Sequence, residues 1–162
     1  MARSLRRILA VVATVLVAIG GLGGCSRKEF EDRTAVITVG DARSSFAIDS
    51  CGRDGRTIFV VGRAKDGAMF QAVMGLAKDR STAVRTSTGF TTDADPTRDD
   101  TRVGAFGAEA WDRKGGVGRA PGRIDSARLR GSRIQFDGQA EPLDPNDRVV
   151  ADADQRHFSF DA

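Results

Sequence analysis

Cysteine, histidine and tryptophan are scarce in this chain: 162 residues hold two Cys, one His and one Trp. Nucleophilic catalysis needs a nucleophile, a base and a group that orients the base. The single histidine, His157, alternates with apolar residues near the end and reads as an exposed strand residue, and no G-x-S-x-G elbow occurs. No catalytic residue is therefore expected. A Cys/His metal set is excluded by the same counts. Long amphipathic helices are also missing: no stretch of a dozen residues keeps a convincing 3.6-residue apolar period.

A long membrane-spanning run is lacking too, but a shorter one is present. Arg3, Arg6 and Arg7 precede the apolar run Ile8 to Ile19, which ends in Gly20-Gly21-Leu22-Gly23-Gly24-Cys25. A spanning helix wants roughly 20 mostly apolar residues, whereas Ile8 to Gly24 is 17 and ends among glycines. A positive n-region, a short apolar core and small residues at a cut site make a secretory signal. An uncleaved anchor, or a plain signal with Cys25 incidental, are the competing readings.

Leu22-Gly23-Gly24-Cys25 resembles the lipobox of bacterial lipoproteins. In that family a peptidase cuts between the residues matched by Gly24 and Cys25. The thiol takes a diacylglycerol, and the new amine is often acylated in turn, with palmitate-type chains. Small residues suit the site because the peptidase grips an extended backbone. One acyl chain binds a bilayer only reversibly, at about 0.8 kcal/mol per buried methylene, so two or three chains on Cys25 are needed to hold the protein there. The expected organisation is a signal peptide over 1–24, a lipidated Cys25 with a short tether over 25–33, and a single β-rich domain over 34–162. The expected location is the extracytoplasmic face of the cell membrane.

Excess charge of either sign disappears with the signal. The whole chain has 25 Lys+Arg against 22 Asp+Glu, and the leader takes three arginines and no acid, so 22 of each remain. No basic stripe survives to mark a nucleic-acid partner. With Cys25 lipidated, Cys51 has no internal disulfide partner. It reads as a small buried hydrophobe, the alternative being a leftover thiol that reacts or pairs between molecules.

What the mature chain does contain is period-two alternation. Ala35, Ile37 and Val39 share a face before the turn at Gly40-Asp41, and Phe46 and Ile48 follow. Gly52-Arg53-Asp54-Gly55 is expected to turn into a central strand, Arg56 to Gly62, apolar on both faces. The segment 68–77 carries apolar residues at helical spacings but has strands for neighbours and reads as a strand. Thr82 to Thr92 is expected as an exposed strand, and Val103 to Trp111 alternates, with Val103, Ala105, Gly107 and Glu109 against Phe106, Ala108 and Ala110. Ile124 to Leu129 and Ile134 to Gly138 form a hairpin about Arg130-Gly131-Ser132, Glu141 to Asp154 is polar and turn-rich, and Phe158 and Phe160 share a face. Short strands between turn signals predict an all-β fold, a small antiparallel sandwich or barrel.

Other motifs are weaker. Asp93, Asp95, Asp99 and Asp100, and Asp144, Asn146, Asp147, Asp152 and Asp154, could collect a hard cation. Neither run keeps the EF-hand order, and arginines flank both, so they read as solvated loops with no metal. Gly115-Gly116-Val117-Gly118 leads to no Lys-Ser/Thr and is not a phosphate loop. No cofactor is expected. Trp111 reads as core.

Ile37-Thr38-Val39-Gly40-Asp41 leading to Cys51, then Thr57 to Gly62, then the hairpin with Ile134-Gln135-Phe136-Asp137-Gly138-Gln139-Ala140 resemble the mycobacterial lipoprotein antigen family typified by LpqH. The resemblance implies an all-β surface lipoprotein without enzyme chemistry, with adhesion or host and envelope proteins as partners and recognition through the acyl chains. Two features depart from that family. Its second cysteine, in the last strand, is missing here, where the chain ends Phe160-Asp161-Ala162, and so is its long Ser/Thr/Ala-rich tether. The alternative function is a carrier of lipid or another small hydrophobic ligand, the sheet wrapping a cavity lined by Phe59, Val61, Met69, Met74 and Leu76.

Overall fold

The computed structural model describes residues 33–93 and 102–162. The lipobox, Leu22, Gly23, Gly24 and Cys25, lies outside the described residues, as do most of the tether and Asp95, Asp99 and Asp100. Nine strands and one short helix follow one another: β1 Thr34–Val39, β2 Ala42–Asp54, β3 Thr57–Arg63, β4 Met69–Leu76, β5 Ala83–Thr92, β6 Arg102–Phe106, α1 Ala108–Arg113, β7 Arg123–Arg130, β8 Arg133–Leu143 and β9 Arg156–Asp161. The sheet runs β6-β5-β4-β3-β2-β1-β9-β8-β7, and a further pairing of β6 with β8 closes eight strands into a barrel. All pairings are antiparallel. Closure pairs both edges of eight strands and leaves the outer edge of β7 as the unpaired one, which limits the free edge open to other chains.

The closing seam is short. Val103 pairs Pro142 and Gly104 pairs Glu141, while the earlier part of the same β8 edge is taken by β7. An Arg85 guanidinium nitrogen donates to the Asp125 carbonyl across the gap between β5 and β7 at 3.1 Å. Gly40 and Gly131, at φ +57° and +61°, open the two-residue loops after β1 and β7. Asp41 and Ser132, which complete the loops, are not at positive φ, so positive φ falls on the first loop residue alone, as in the primed turns whose twist matches the flanking strands.

Alternation sends one face of every strand into the barrel. Ile37 and Val39 lie opposite Phe160 and Phe158, and Phe46, Phe70, Phe90 and Phe136 complete a six-ring core, each at most 4% exposed. Phe136 and Phe160 stack at 4.5 Å with 13° between planes, Phe90 and Phe158 are 4.6 Å apart, and Phe46 meets Phe70 edge-on at 5.1 Å. Such pairs contribute about 0.5–1.5 kcal/mol each beyond area burial.

The segment 68–77 is a strand, as its neighbours suggested, and Trp111 is buried. Several expectations need correction. β2 runs on to Asp54, and the turn is Gly55-Arg56, starting three residues later than the Gly52 start suggested. β3 is not covered on both faces: Phe59 on its outer side is 45% exposed. β5 is buried through its last six residues, because α1 and β6 cover it. The run Val103 to Trp111 is not one strand. β6 ends at Phe106, and at Gly107, whose N–H bonds the Thr88 carbonyl, the chain turns into α1. The alternation continued into Ala108-Glu109-Ala110 only because a short helix of small residues shows no period. β8 extends through Glu141 to Leu143, so the start of that polar stretch is core, not turn. Cys51 is exposed and free.

Candidate functional site

Register alone builds a groove on the outside of the barrel. Across four neighbouring strands, Phe59 pairs Val73, Val73 pairs Gly89 and Gly89 pairs Phe106. The adjacent row is Val61, Gln71, Thr91 and Gly104. Both glycines leave gaps in these outward-facing rows. A Cβ at Gly89 would stand 2.4 Å from the Phe106 ring, so that ring folds down over the missing side chain. Phe106 then supports α1 by packing against Trp111, ring centroids 5.3 Å apart, with Ala110 beside it. The space between α1 and the exposed faces of β3 and β4 is an open groove of about 470 Å³, within the usual range of small-ligand pockets of roughly 300–1,000 Å³.

Its walls are mainly apolar: Phe59, Val73, Phe106 and Ala110. Polar groups stand at defined places. Asp54 and Thr57 come from the β2–β3 hairpin, and Arg113 and Lys114 from the end of α1. The Arg113 guanidinium donates to the Thr57 hydroxyl at 2.9 Å and to the Ser87 and Glu109 carbonyls at 3.2 and 3.3 Å, all neutral acceptors. Lys114 is bound to Asp147, which also takes Arg102 at 3.0 Å. Thr91 is 3% exposed and its hydroxyl oxygen has no hydrogen-bond partner. A buried hydroxyl left unpaired costs on the order of 1–3 kcal/mol, which makes Thr91 the unusual member of the set.

The remaining shifted acids serve the fold. Burial pushes the Glu141 carboxyl up, but hydrogen bonds from Arg119, the Gly122 N–H and Gln155 outweigh it and leave it below the usual range. The Ser87 and Thr86 hydroxyls hold Glu109 down. Asp79 is lowered by the Thr82 hydroxyl and the Ser81 and Thr82 N–H groups, a turn motif. Asp144 is lowered by the N–H groups of Arg148 and Asn146 within its own loop.

The cavity lining expected from sequence does not assemble. Met74 and Leu76 point into the packed barrel, whereas Phe59, Val61 and Met69 belong to the outer rows. Phe59 alone joins the groove. Asp93 pairs Arg102, and Asp144 and Asp147 are engaged as above, so these acids form loop contacts. No cluster of metal-ligating groups occurs among the described residues. Also among them, no helix is long and apolar enough to cross a membrane. Cys51 stands at the mouth of the barrel beside Ile48, Ile58 and Leu129. His157 is exposed on β9.

The groove was hidden from the sequence because its floor depends on register. Gly89 and Gly104 are separated by 14 residues of chain and read separately as weak strand glycines. Compared with known proteins, the chain matches no family model, no curated protein and no solved structure.

Proposed function

We propose that the chain is a non-catalytic lipoprotein of the cell envelope, anchored through acylated Cys25 on the extracytoplasmic face and related to the LpqH-type antigens. The observation that carries this reading is the lipobox-like Leu22-Gly23-Gly24-Cys25, placed eight residues ahead of Arg33, which immediately precedes β1. So short a tether keeps the barrel beside its bilayer.

The barrel supports a scaffold role in a second way. Six phenylalanine rings fill its interior, so the domain works through its surface, by contact with host or envelope partners. Among the described residues, the shifted carboxylates each have a structural reason. A carrier that encloses its ligand within the sheet is disfavoured by the same ring packing. Cell fractionation tests the proposal. The parent protein partitions with membranes and the Cys25→Ser variant appears in the medium; retention of the variant in membranes overturns it.

A further inference from the structure

We propose that the end of the barrel at which the tether enters is a docking face for the anionic lipid headgroups of the bilayer. The inference rests on the anchored reading above and adds to it the orientation of the anchored barrel. The β2–β3 hairpin, the β7–β8 turn and the end of β9 surround one open mouth there, about 360 Å³ and faced by Ile48, Ile58 and Leu129. Arg33 sits at this mouth, because its carbonyl accepts from the Ile48 N–H at 2.8 Å. Eight residues separate Cys25 from Arg33, so an anchor on Cys25 holds this end toward the lipid.

Charge is divided unevenly along the barrel. Six exposed cations gather at the mouth and on the neighbouring 77–82 loop: Arg33, Arg53, Arg56, Lys78, Arg80 and Arg130. Arg53 joins hairpin and loop, donating to the Gly55 and Arg80 carbonyls at 3.2 Å each. None of the six forms an ion pair within the described residues. Arg56 does lie near Glu109 and Asp112 of α1. The acids of the end itself are fewer: Asp54, Asp79, the Ala162 carboxylate, and Asp161, which Arg133 offsets. At the opposite end, the connections 40–41, 64–68 and 144–155 hold six aspartates against Lys65 and Arg148. An anionic leaflet attracts the first end and repels the second. The half-buried apolar mouth suits the same surface, since arginine stems lie along apolar groups while their heads reach the phosphates.

The Cys25→Ser chain recovered from the medium separates this contact from the anchor, because it carries no acyl group; fractionation of the parent reports on the anchor independently. It is sedimented with vesicles of phosphatidylcholine alone and of equal parts phosphatidylcholine and phosphatidylglycerol. The mixed vesicles should bind it, less so as salt is raised, and the neutral ones should not. Lys78→Glu combined with Arg130→Glu should weaken binding roughly thirtyfold or more. Lys65→Glu combined with Arg148→Glu makes the same change in net charge at the far end and should leave binding near the parent value. Cys51, the sole thiol of this chain and a member of the mouth, should react more slowly with a water-soluble maleimide once mixed vesicles are present. Equal binding to both vesicles, equal weakening by the two double variants, or an unprotected Cys51 overturns the proposal. So does tighter binding to a single-stranded oligonucleotide than to the mixed vesicles, because the basic end then serves a different polyanion.

Discussion

Glu141 and Arg119 are joined by two hydrogen bonds, at 2.7 and 3.0 Å, with the Glu141 side chain 4% exposed and the Arg119 side chain 63% exposed. The carboxylate also accepts from the Gly122 N–H and from Gln155, each at 2.9 Å. Glu141 sits opposite Gly104 on the strand pair that closes the barrel. A buried acid thus pins the seam, the loop before β7 and the chain before β9 to one point.

Because the folded carboxyl titrates below its ordinary value of 4.5, its contribution is present above that pH and is lost as pH falls through the folded value. Glu141→Gln should therefore lower stability at pH 7 by about 2 kcal/mol, the range for charge-assisted bonds. The gap between variant and parent should close in acid. Urea unfolding across pH checks this, and a gap that persists unchanged to the lowest pH contradicts it.

Thr91→Val removes a buried hydroxyl without changing shape. If that hydroxyl is unpaired in the empty protein, the variant gains about 1 kcal/mol or more. A higher melting temperature is the expected result, and a loss of stability would mean that Thr91 bonds a group inside the fold.

Gly107 has an ordinary φ of −72°, so backbone strain does not explain it. Sterics do: an added Cβ would lie 2.2 Å from the Arg85 carbonyl oxygen. Gly107→Ala should cost about 1–3 kcal/mol by overpacking and displace α1, seen as a change in Trp111 emission. Unchanged stability and emission would show that α1 is not seated on β5 as described.

These two positions also mark what could be read from the chain alone. Strands with clean alternation, such as β1, the β7–β8 hairpin and β9, were legible because one face meets the ring core and the other meets water. β4 was legible from its neighbours. Where the outer face is covered as well, period two fades: β5 carries Ser87, Thr88, Thr91 and Thr92 into buried positions under α1 and β6, and threonines in sequence suggest solvent. The helix was missed because six residues give too little period to detect. Glu141 was assigned to a polar turn because a buried ion pair needs its partner, Arg119, to be brought from 22 residues away.

Cys51 was expected inside and stands outside. On β2 it pairs with Val60, but at the barrel mouth, where no strand closes over it. In the Cys25→Ser chain a thiol reagent should titrate it stoichiometrically without denaturant, and non-reducing electrophoresis should show disulfide-linked dimers after air oxidation. Reaction only after unfolding would return it to the interior.

The most direct measurement of the account is mass spectrometry of the amino-terminal peptide from membrane-fractionated protein. It should begin at Cys25 and carry a diacylglycerol, with or without a further acyl chain on the amine. A first residue other than Cys25, or Cys25 with a free thiol and no fatty modification, contradicts the proposed anchor and the placement that follows from it.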